Sequence, residues 1–189
     1  MASSKFQFTP DVLTVKVVVA GPGGVGKTTL LKRLETNSYI PAISTVGVNF
    51  LVLDHEVGET ILRIAYWDYA GENRFKSLFP GYCQGSSGGI VAFDTSRIQT
   101  LSEIPEWLKM MKEHNNPDLP IILLGNKIDT VEDDKRKLIS EAAENFVKDY
   151  GLSGYYFCSA KSGEGLSSPF SHLGILLVER EKKGKAWKF

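Results

Sequence analysis

Apolar runs alternate with segments of helical period along the whole chain. LTVKVVVA (13–20), GGIVAF (88–93), PIILLG (120–125) and YYFCSA (155–160) are short and nearly continuously apolar, the pattern of strands buried on both faces. Between them lie Leu30, Leu31 and Leu34; then Leu101, Ile104, Leu108 and Met111; then Leu138, Ala142, Phe146 and Tyr150. Each set predicts the apolar stripe of a helix. A last helix is expected from about Ser168 through Leu176 and Arg180. VNFLVLD (48–54) and TILRIAYW (60–67) are joined only by HEVGE, which predicts an antiparallel hairpin between the first helix and the next parallel strand. The sum is an α/β fold: a mostly parallel six-stranded sheet with one antiparallel strand and helices on both faces. A ligand would sit at the carboxyl ends of its strands.

The 189 residues, 42% of them hydrophobic, suit one domain with one core. The pattern places it at 12–180, with a flexible N-terminus over 1–11 and a short basic and aromatic tail over 181–189. The 22 basic and 22 acidic residues cancel, which argues against a nucleic-acid partner. Cys83 and Cys158 are too few for a disulfide framework, and His55, His114 and His172 have no metal-ligand spacing. A reducing, cytoplasmic setting fits. No run approaches the ~20 apolar residues that cross a bilayer, so a soluble protein is expected. With Ala2 after Met1 no N-myristoylation is expected, and with no cysteine in KAWKF no prenylation is expected. The stretch EREKKGKAWKF (179–189) sets five basic residues against two acidic ones, with Trp187 and Phe189. It reads as a solvated helix end or a weak contact with an anionic surface, so membrane contact is indirect or weak through 180–189.

Chemistry enters where the first strand ends. In GPGGVGKTT (21–29), Gly21, Gly26, Lys27 and Thr28 fill the pattern G-x-x-x-x-G-K-[ST] between a strand and a helix. Glycines let successive N–H groups face inward, the helix N-terminus adds its positive end, Lys27 reaches terminal phosphates, and Thr28 can bind Mg²⁺. Gly23, Gly24, Val25 and Thr29 would complete the phosphate-binding turn, and the motif predicts a P-loop NTPase fold. The base is chosen by NKID (126–129) and SAK (159–161), each following an apolar strand. Asp129 can accept from the ring N–H and amino group of guanine, whereas adenine offers it a bare ring nitrogen. Two lost charge-assisted hydrogen bonds, at roughly 1.5 to 3 kcal/mol each, would reject ATP. Asn126, Lys127, Ser159, Ala160 and Lys161 complete this end.

From about Val12 to Arg180 the chain resembles a small GTPase of the Ras superfamily, and within it the Rab branch. The resemblance rests on the P-loop, NKID and SAK, and on STVGVNF (44–50), WDYAGENRF (67–75), YCQGSSGGIVAFD (82–94) and EWLKMM. It implies that Thr45 bonds Mg²⁺ and the γ-phosphate, that Asp68 holds the metal through water, that the Gly71 N–H senses the γ-phosphate and that Tyr39 packs across guanine. Thr28, Thr45 and Asp68 would thus form the metal site. It further implies that loops 38–50 and 68–80 order with GTP and relax with GDP. Effectors would read Val46 to Phe50 and the hairpin with Trp67, and an exchange factor and a GTPase-activating protein would set the state.

Three departures mark this chain. The span from Lys27 to Thr45 is one residue shorter than the Ras or Rab pattern, with Ala42 where many relatives have a tyrosine. Tyr69 replaces a small threonine, adding a ring beside the catalytic loop. Glu72 stands where a glutamine orients the attacking water. A carboxylate about 5 Å from one phosphate charge feels repulsion on the order of 3 kcal/mol at an effective dielectric of ~20. It must turn away, be compensated or take up a proton, or else Asn73 supplies the amide. Lys27, Thr45, Gly71 and Glu72 are the candidate catalytic groups, and slow GTP hydrolysis is expected, quickened by a partner's arginine. The alternative is a GTP-binding scaffold that does not cycle. A P-loop metabolic kinase explains neither NKID nor SAK.

Overall fold

Along β1 (Asp11–Ala20) the side chains alternate between two cores, Val17 and Val19 on one face and Val18 and Ala20 on the other. This is the two-residue period of a strand buried on both sides. The structure, a computed structural model, describes residues 11–116 and 118–186, and only the backbone of 185 and 186. The expected flexible segment before Asp11 and the aromatic tail residues Trp187 and Phe189 lie outside the described residues.

The remaining strands are β2 (Val48–Val57), β3 (Thr60–Tyr69), β4 (Gly88–Asp94), β5 (Ile121–Asn126) and β6 (Gly154–Phe157). They form one sheet in the order β2-β3-β1-β4-β5-β6. Every neighbouring pair is parallel except β2 with β3, so the expected α/β sheet is the one observed. The hairpin is tighter than expected. His55 to Val57 continue β2, leaving only Gly58 and Glu59 as the turn, and Gly58 has φ +60°, the left-handed conformation that short hairpin turns require.

One face of the sheet is covered by α1 (Lys27–Thr36) and α5 (Ser167–Ala186), whose Leu30, Leu31, Phe170, Leu173 and Leu177 meet Val17, Val19 and Leu62. The other is covered by α2 (Phe79–Cys83), α3 (Ile104–Glu113) and α4 (Asp133–Tyr150). Leu101, expected to open the α3 stripe, sits in a 3-10 turn just before it and is still buried. In α4 the expected stripe is rotated: Ile139 and Ala143 are buried while Leu138 is 69% exposed. Ala142 and Phe146 pack at the edge of the core, so the contact face lies one position further along than Leu138 suggested. α5 runs past Arg180 to Ala186. Among the described residues no helix is long and apolar enough to cross a membrane.

Two further corrections concern strand ends. β6 stops at Phe157, and Cys158 to Ala160 leave the sheet. The Cys158 N–H still donates to Gly125 O, but the Ala160 N–H turns to the Asn126 side chain. β3 extends through Tyr69, so the loop after it begins two residues later than the apolar run TILRIAYW indicated. The carboxyl ends of β1, β3, β4, β5 and β6 all open on the same edge of the sheet, where this topology places ligands.

Candidate functional site

The loop after β1 is bent by glycines that have no room for a side chain. Gly21 has φ +134°, and a Cβ there would lie 2.2 Å from the Ala92 carbonyl oxygen. Gly26, at φ +94°, caps the N-terminus of α1, and a Cβ would lie 2.5 Å from Asn126 Nδ2. The first turn of α1 therefore opens on a cavity of about 270 Å³ lined by Gly23, Gly24, Gly26, Lys27, Thr28 and Thr29. The first N–H groups of a helix have no partner within it, and with the helix dipole they favour an anion at such an end. Lys27 is 6% exposed and its Nζ donates to the Gly21 and Pro22 carbonyls at 2.8 and 3.0 Å. Burial pushes its pKa down to about 8, against the opposing pull of Asp68. Val25 does not line the cavity. Its side chain is fully buried, and its carbonyl accepts from Asn126 Nδ2 at 2.9 Å.

At the far side of Lys27 three oxygen donors converge. Thr28 Oγ1 lies 2.6 Å from Thr45 Oγ1 and donates to Asp68 Oδ2 at 2.5 Å. Asp68 is 2% exposed, and its other oxygen, Oδ1, is buried without a partner. Burial raises the Asp68 pKa, while the Thr28 hydrogen bond and the charges of Lys27 and Lys32 lower it. Among the described residues no three His, Cys, Asp or Glu cluster. Two hydroxyls and one carboxylate with an orphaned oxygen are the hard, all-oxygen set that suits Mg²⁺.

Gly71 lines the same cavity, packed against the loop after β1. A Cβ at this position would lie 2.4 Å from the Pro22 carbonyl carbon and 2.5 Å from Gly23 N, so only glycine lets the two loops touch. Glu72 also lines the cavity, and its Oε2 pairs with Arg74 Nε at 2.8 Å. The Glu72 carboxylate is thus paired with a cation two residues further along its own loop. Asn73 is exposed and contributes nothing to the cavity lining. Tyr69 touches the cavity, yet its ring is 1% exposed in the core against Phe79 and Trp107, and its hydroxyl donates to the Phe75 carbonyl. The ring thus serves as an anchor for residues 73–78.

A second cavity of about 130 Å³ adjoins the first and shares Gly26, Thr29, Tyr39 and Lys127 with it. Asp129, Ser159, Ala160 and Lys161 line its far side. Asn126 acts as a strut: Nδ2 holds the Val25 carbonyl, and Oδ1 accepts from the Ala160 N–H at 3.1 Å. Ser159 Oγ accepts from the Lys161 and Ser162 N–H groups at 3.1 and 2.9 Å, shaping the SAK loop. Tyr39 is 46% exposed along the rim.

Sequence reasoning missed Asp94, which is 1% exposed at the end of β4. Its Oδ2 accepts from Lys127 Nζ at 2.7 Å and from Arg97 Nε at 2.9 Å, while Lys127 Nζ also reaches the Gly24 carbonyl at 2.8 Å. Burial pushes the Asp94 pKa up, but the hydrogen bonds from Lys127, Ser96 and Arg97 outweigh it and hold the carboxyl below its ordinary range. The available signal was an acidic residue directly ending the apolar run GGIVAF, where a strand meets the ligand edge.

The profile of the Ras family matches residues 16–178. Human Ras-related protein Rab-12 is 31% identical over 84% of this chain and 64% of its own length. Ras-related protein Rab-13 of Mesocricetus auratus is 33% identical over 84% of this chain and 77% of its own. Ras-related protein SEC4 of Saccharomyces cerevisiae is 28% identical over 90% of this chain and 78% of its own. The chain thus spans less than two thirds of Rab-12 and about three quarters of the other two. A glycine-built phosphate loop, an adjoining pocket edged by NKID and SAK, and a family match that covers both agree with one another, and the chain belongs to the Ras family as a Rab-like small GTPase.

Proposed function

We propose that this chain is a guanine-nucleotide switch that binds GTP and GDP and hydrolyses GTP slowly on its own. The observation that carries this reading is the joining of two cavities through Gly26, Thr29, Tyr39 and Lys127. One end is a cationic loop of N–H donors, and the other holds the Asp129 carboxylate. A nucleotide lying through both would place phosphates at Lys27 and its base against Asp129, with Tyr39 and Lys127 along its length. Asp129 would then accept from the guanine edge, which adenine cannot match.

The oxygens of Thr28, Thr45 and Asp68 would hold Mg²⁺, which when bound neutralises phosphate charge. Thr45 and Gly71 would report the γ-phosphate, one by a hydroxyl and the other by a backbone N–H. Lys27 would exchange its two carbonyl contacts for the terminal phosphates. In hydrolysis the water oxygen attacks the γ-phosphorus, and the bond to the β–γ bridging oxygen breaks, leaving its electron pair on GDP. The water proton passes to a γ-phosphate oxygen, giving dihydrogen phosphate. Glu72 would accept from that water and fix its position, a contribution to the chemical step. Reading by effectors would use 38–50 and the β2–β3 hairpin. There Trp67 is half-buried, with Phe50 edge-on at 4.6 Å and Lys16 Nζ 3.7 Å from its ring centre.

The alternative is a GTP-binding scaffold that does not cycle because Glu72 impairs hydrolysis; the Arg74 ion pair, which offsets part of that charge, favours the hydrolysing reading. Competition of GTP, GDP and ATP against a fluorescent guanine nucleotide, followed by single-turnover hydrolysis, tests the proposal. GTP and GDP should displace the probe at least about a hundredfold better than ATP, as two charge-assisted hydrogen bonds demand. Equal displacement by ATP would refute the guanine reading, and absence of phosphate release above the rate in water would refute hydrolysis.

A further inference from the structure

The ion pair between Glu72 and Arg74 sits where a carboxylate ought to hinder the reaction. Glu72 faces the phosphate cavity, and its Cγ lies 3.8 Å from the point where a Cβ on Gly23 would stand. The Glu72 side chain thus runs past the part of the phosphate loop nearest Gly71, at the rim of the cavity. Arg74 lies outside the cavity lining, and its Nε meets Glu72 Oε2 at 2.8 Å. Its guanidinium carbon stands 4.7 Å from the centre of the Phe75 ring. Phe75 packs on the core, its carbonyl accepts from the buried Tyr69 hydroxyl, and its N–H donates to the Glu72 carbonyl at 3.0 Å. A chain of contacts therefore runs from the core through Tyr69, Phe75 and Arg74 to Glu72. The residues that are unusual in this stretch, Tyr69 and Glu72, stand at its two ends.

We infer that Arg74 is a positioning residue that lets a carboxylate stand in for the usual amide in this GTPase, by offsetting part of the charge of Glu72 and holding it at the cavity rim. This inference rests on the proposed hydrolytic function. A neutral amide both accepts from water and avoids repelling the γ-phosphate. Here the two properties are divided: Glu72 supplies the acceptor, and Arg74 supplies the opposing charge. The pair is half-exposed, so its contribution to folding is small. Its significance lies in the charge presented to a polyanion, since repulsion falls only as the inverse of distance. Arg74 makes no contact with the reacting atoms in this assignment.

The test compares the unmodified chain with Arg74→Gln, Arg74→Lys, Glu72→Gln and the Glu72→Gln/Arg74→Gln pair, each loaded with Mg²⁺-GTP. Phosphate release is followed over a single turnover, and affinities for fluorescent GTP and GDP analogues are measured in parallel. Arg74→Gln should slow hydrolysis by about tenfold and lower the preference for GTP over GDP by about fivefold, because the exposed carboxylate then repels the third phosphate. Arg74→Lys should restore most of both. In the Glu72→Gln background the Arg74→Gln change should have almost no effect, and this non-additivity is what a merely structural arginine would not produce. Equal rates for the unmodified chain and Arg74→Gln, faster hydrolysis in Arg74→Gln, or independent multiplication of the two effects would overturn the inference while leaving the GTPase reading intact. Failure of the unmodified chain to release phosphate above the rate in water would overturn both. Loss of GDP binding in Arg74→Gln would also overturn it, because compensation concerns only the third phosphate.

Discussion

Thr28 Oγ1 donates to Asp68 Oδ2 at 2.5 Å, while Asp68 Oδ1 is buried with no partner. An unpaired carboxylate oxygen in the interior is destabilising unless something positive meets it, and this is the structural reason for expecting Mg²⁺. Thr28→Asn should lower Mg²⁺-GTP affinity by about tenfold or more, the value of one hydrogen bond to a charged group, and affect GDP less. Titrations in Mg²⁺ and in chelator are the check. Identical GTP affinities of the unmodified protein in both would refute the metal assignment.

Asp129 lines the second cavity at the far end of the cleft, where the proposed function puts the base. Asp129→Asn should weaken GTP by about a hundredfold, consistent with two hydrogen bonds to a charged acceptor. It should also improve binding of xanthosine nucleotides, whose extra ring carbonyl pairs with an amide donor. Displacement titrations with both nucleotides measure it, and an unchanged preference would remove Asp129 from the base site.

Glu72→Gln should quicken single-turnover hydrolysis. The amide accepts from water as the carboxylate does, and it removes a repulsion of up to ~3 kcal/mol that Arg74 offsets only in part, so a gain of about tenfold is expected. GTP affinity should change little, since positioning of water acts in the chemical step. A variant no faster than the unmodified chain would clear Glu72 and turn attention to the shortened 27–45 span.

Asp94 links the strand ends by holding Lys127 and Arg97 on one oxygen. Asp94→Asn keeps the shape and removes the charge, leaving Lys127 less firmly tied to the Gly24 carbonyl. Nucleotide release, followed by fluorescence after adding excess unlabelled GDP, should accelerate by about tenfold, because loss of one partner in a buried charge pair acts mainly on dissociation. An unchanged release rate would show that Gly24 and Lys127 hold the site without Asp94.

His55 predicts a pH dependence of stability remote from the nucleotide. Its Nε2 lies 2.9 Å from the Tyr66 hydroxyl, and burial lowers its pKa below 6.5, with Asp54 opposing. Below pH 6.5 the unfolded chain takes up a proton at His55 more readily than the folded one, so this contribution to stability is complete above 6.5 and declines as the pH falls. Denaturant midpoints should drop between about pH 7 and 5.5, and His55→Gln should flatten that drop. Asp54, held low by its hydrogen bonds to Arg63, titrates in a lower range and does not mask it. Equal slopes in both proteins would exclude His55 as the source.

What the sequence determined by itself was set by short-range physics. Apolar runs of strand length could be stable only when buried on both faces, which implied the parallel sheet. The glycines, lysine and threonine of GPGGVGKTT carry their phosphate chemistry within nine consecutive residues. NKID and SAK are equally local, and their placement at strand ends followed from the runs before them. Tertiary structure decided the rest, because the deciding contacts join distant positions. Asn126 became a strut to Val25 across 101 positions, and Lys127 reached Gly24 across 103. The α4 face turned toward Ile139 because the sheet beneath it, and not the spacing of leucines, defines the contact. Asp94 took its role only when β4 lay beside β1 and β5. Periodicity and local backbone chemistry are written along the chain, whereas the partner of a buried charge is chosen by the packing that brings it there.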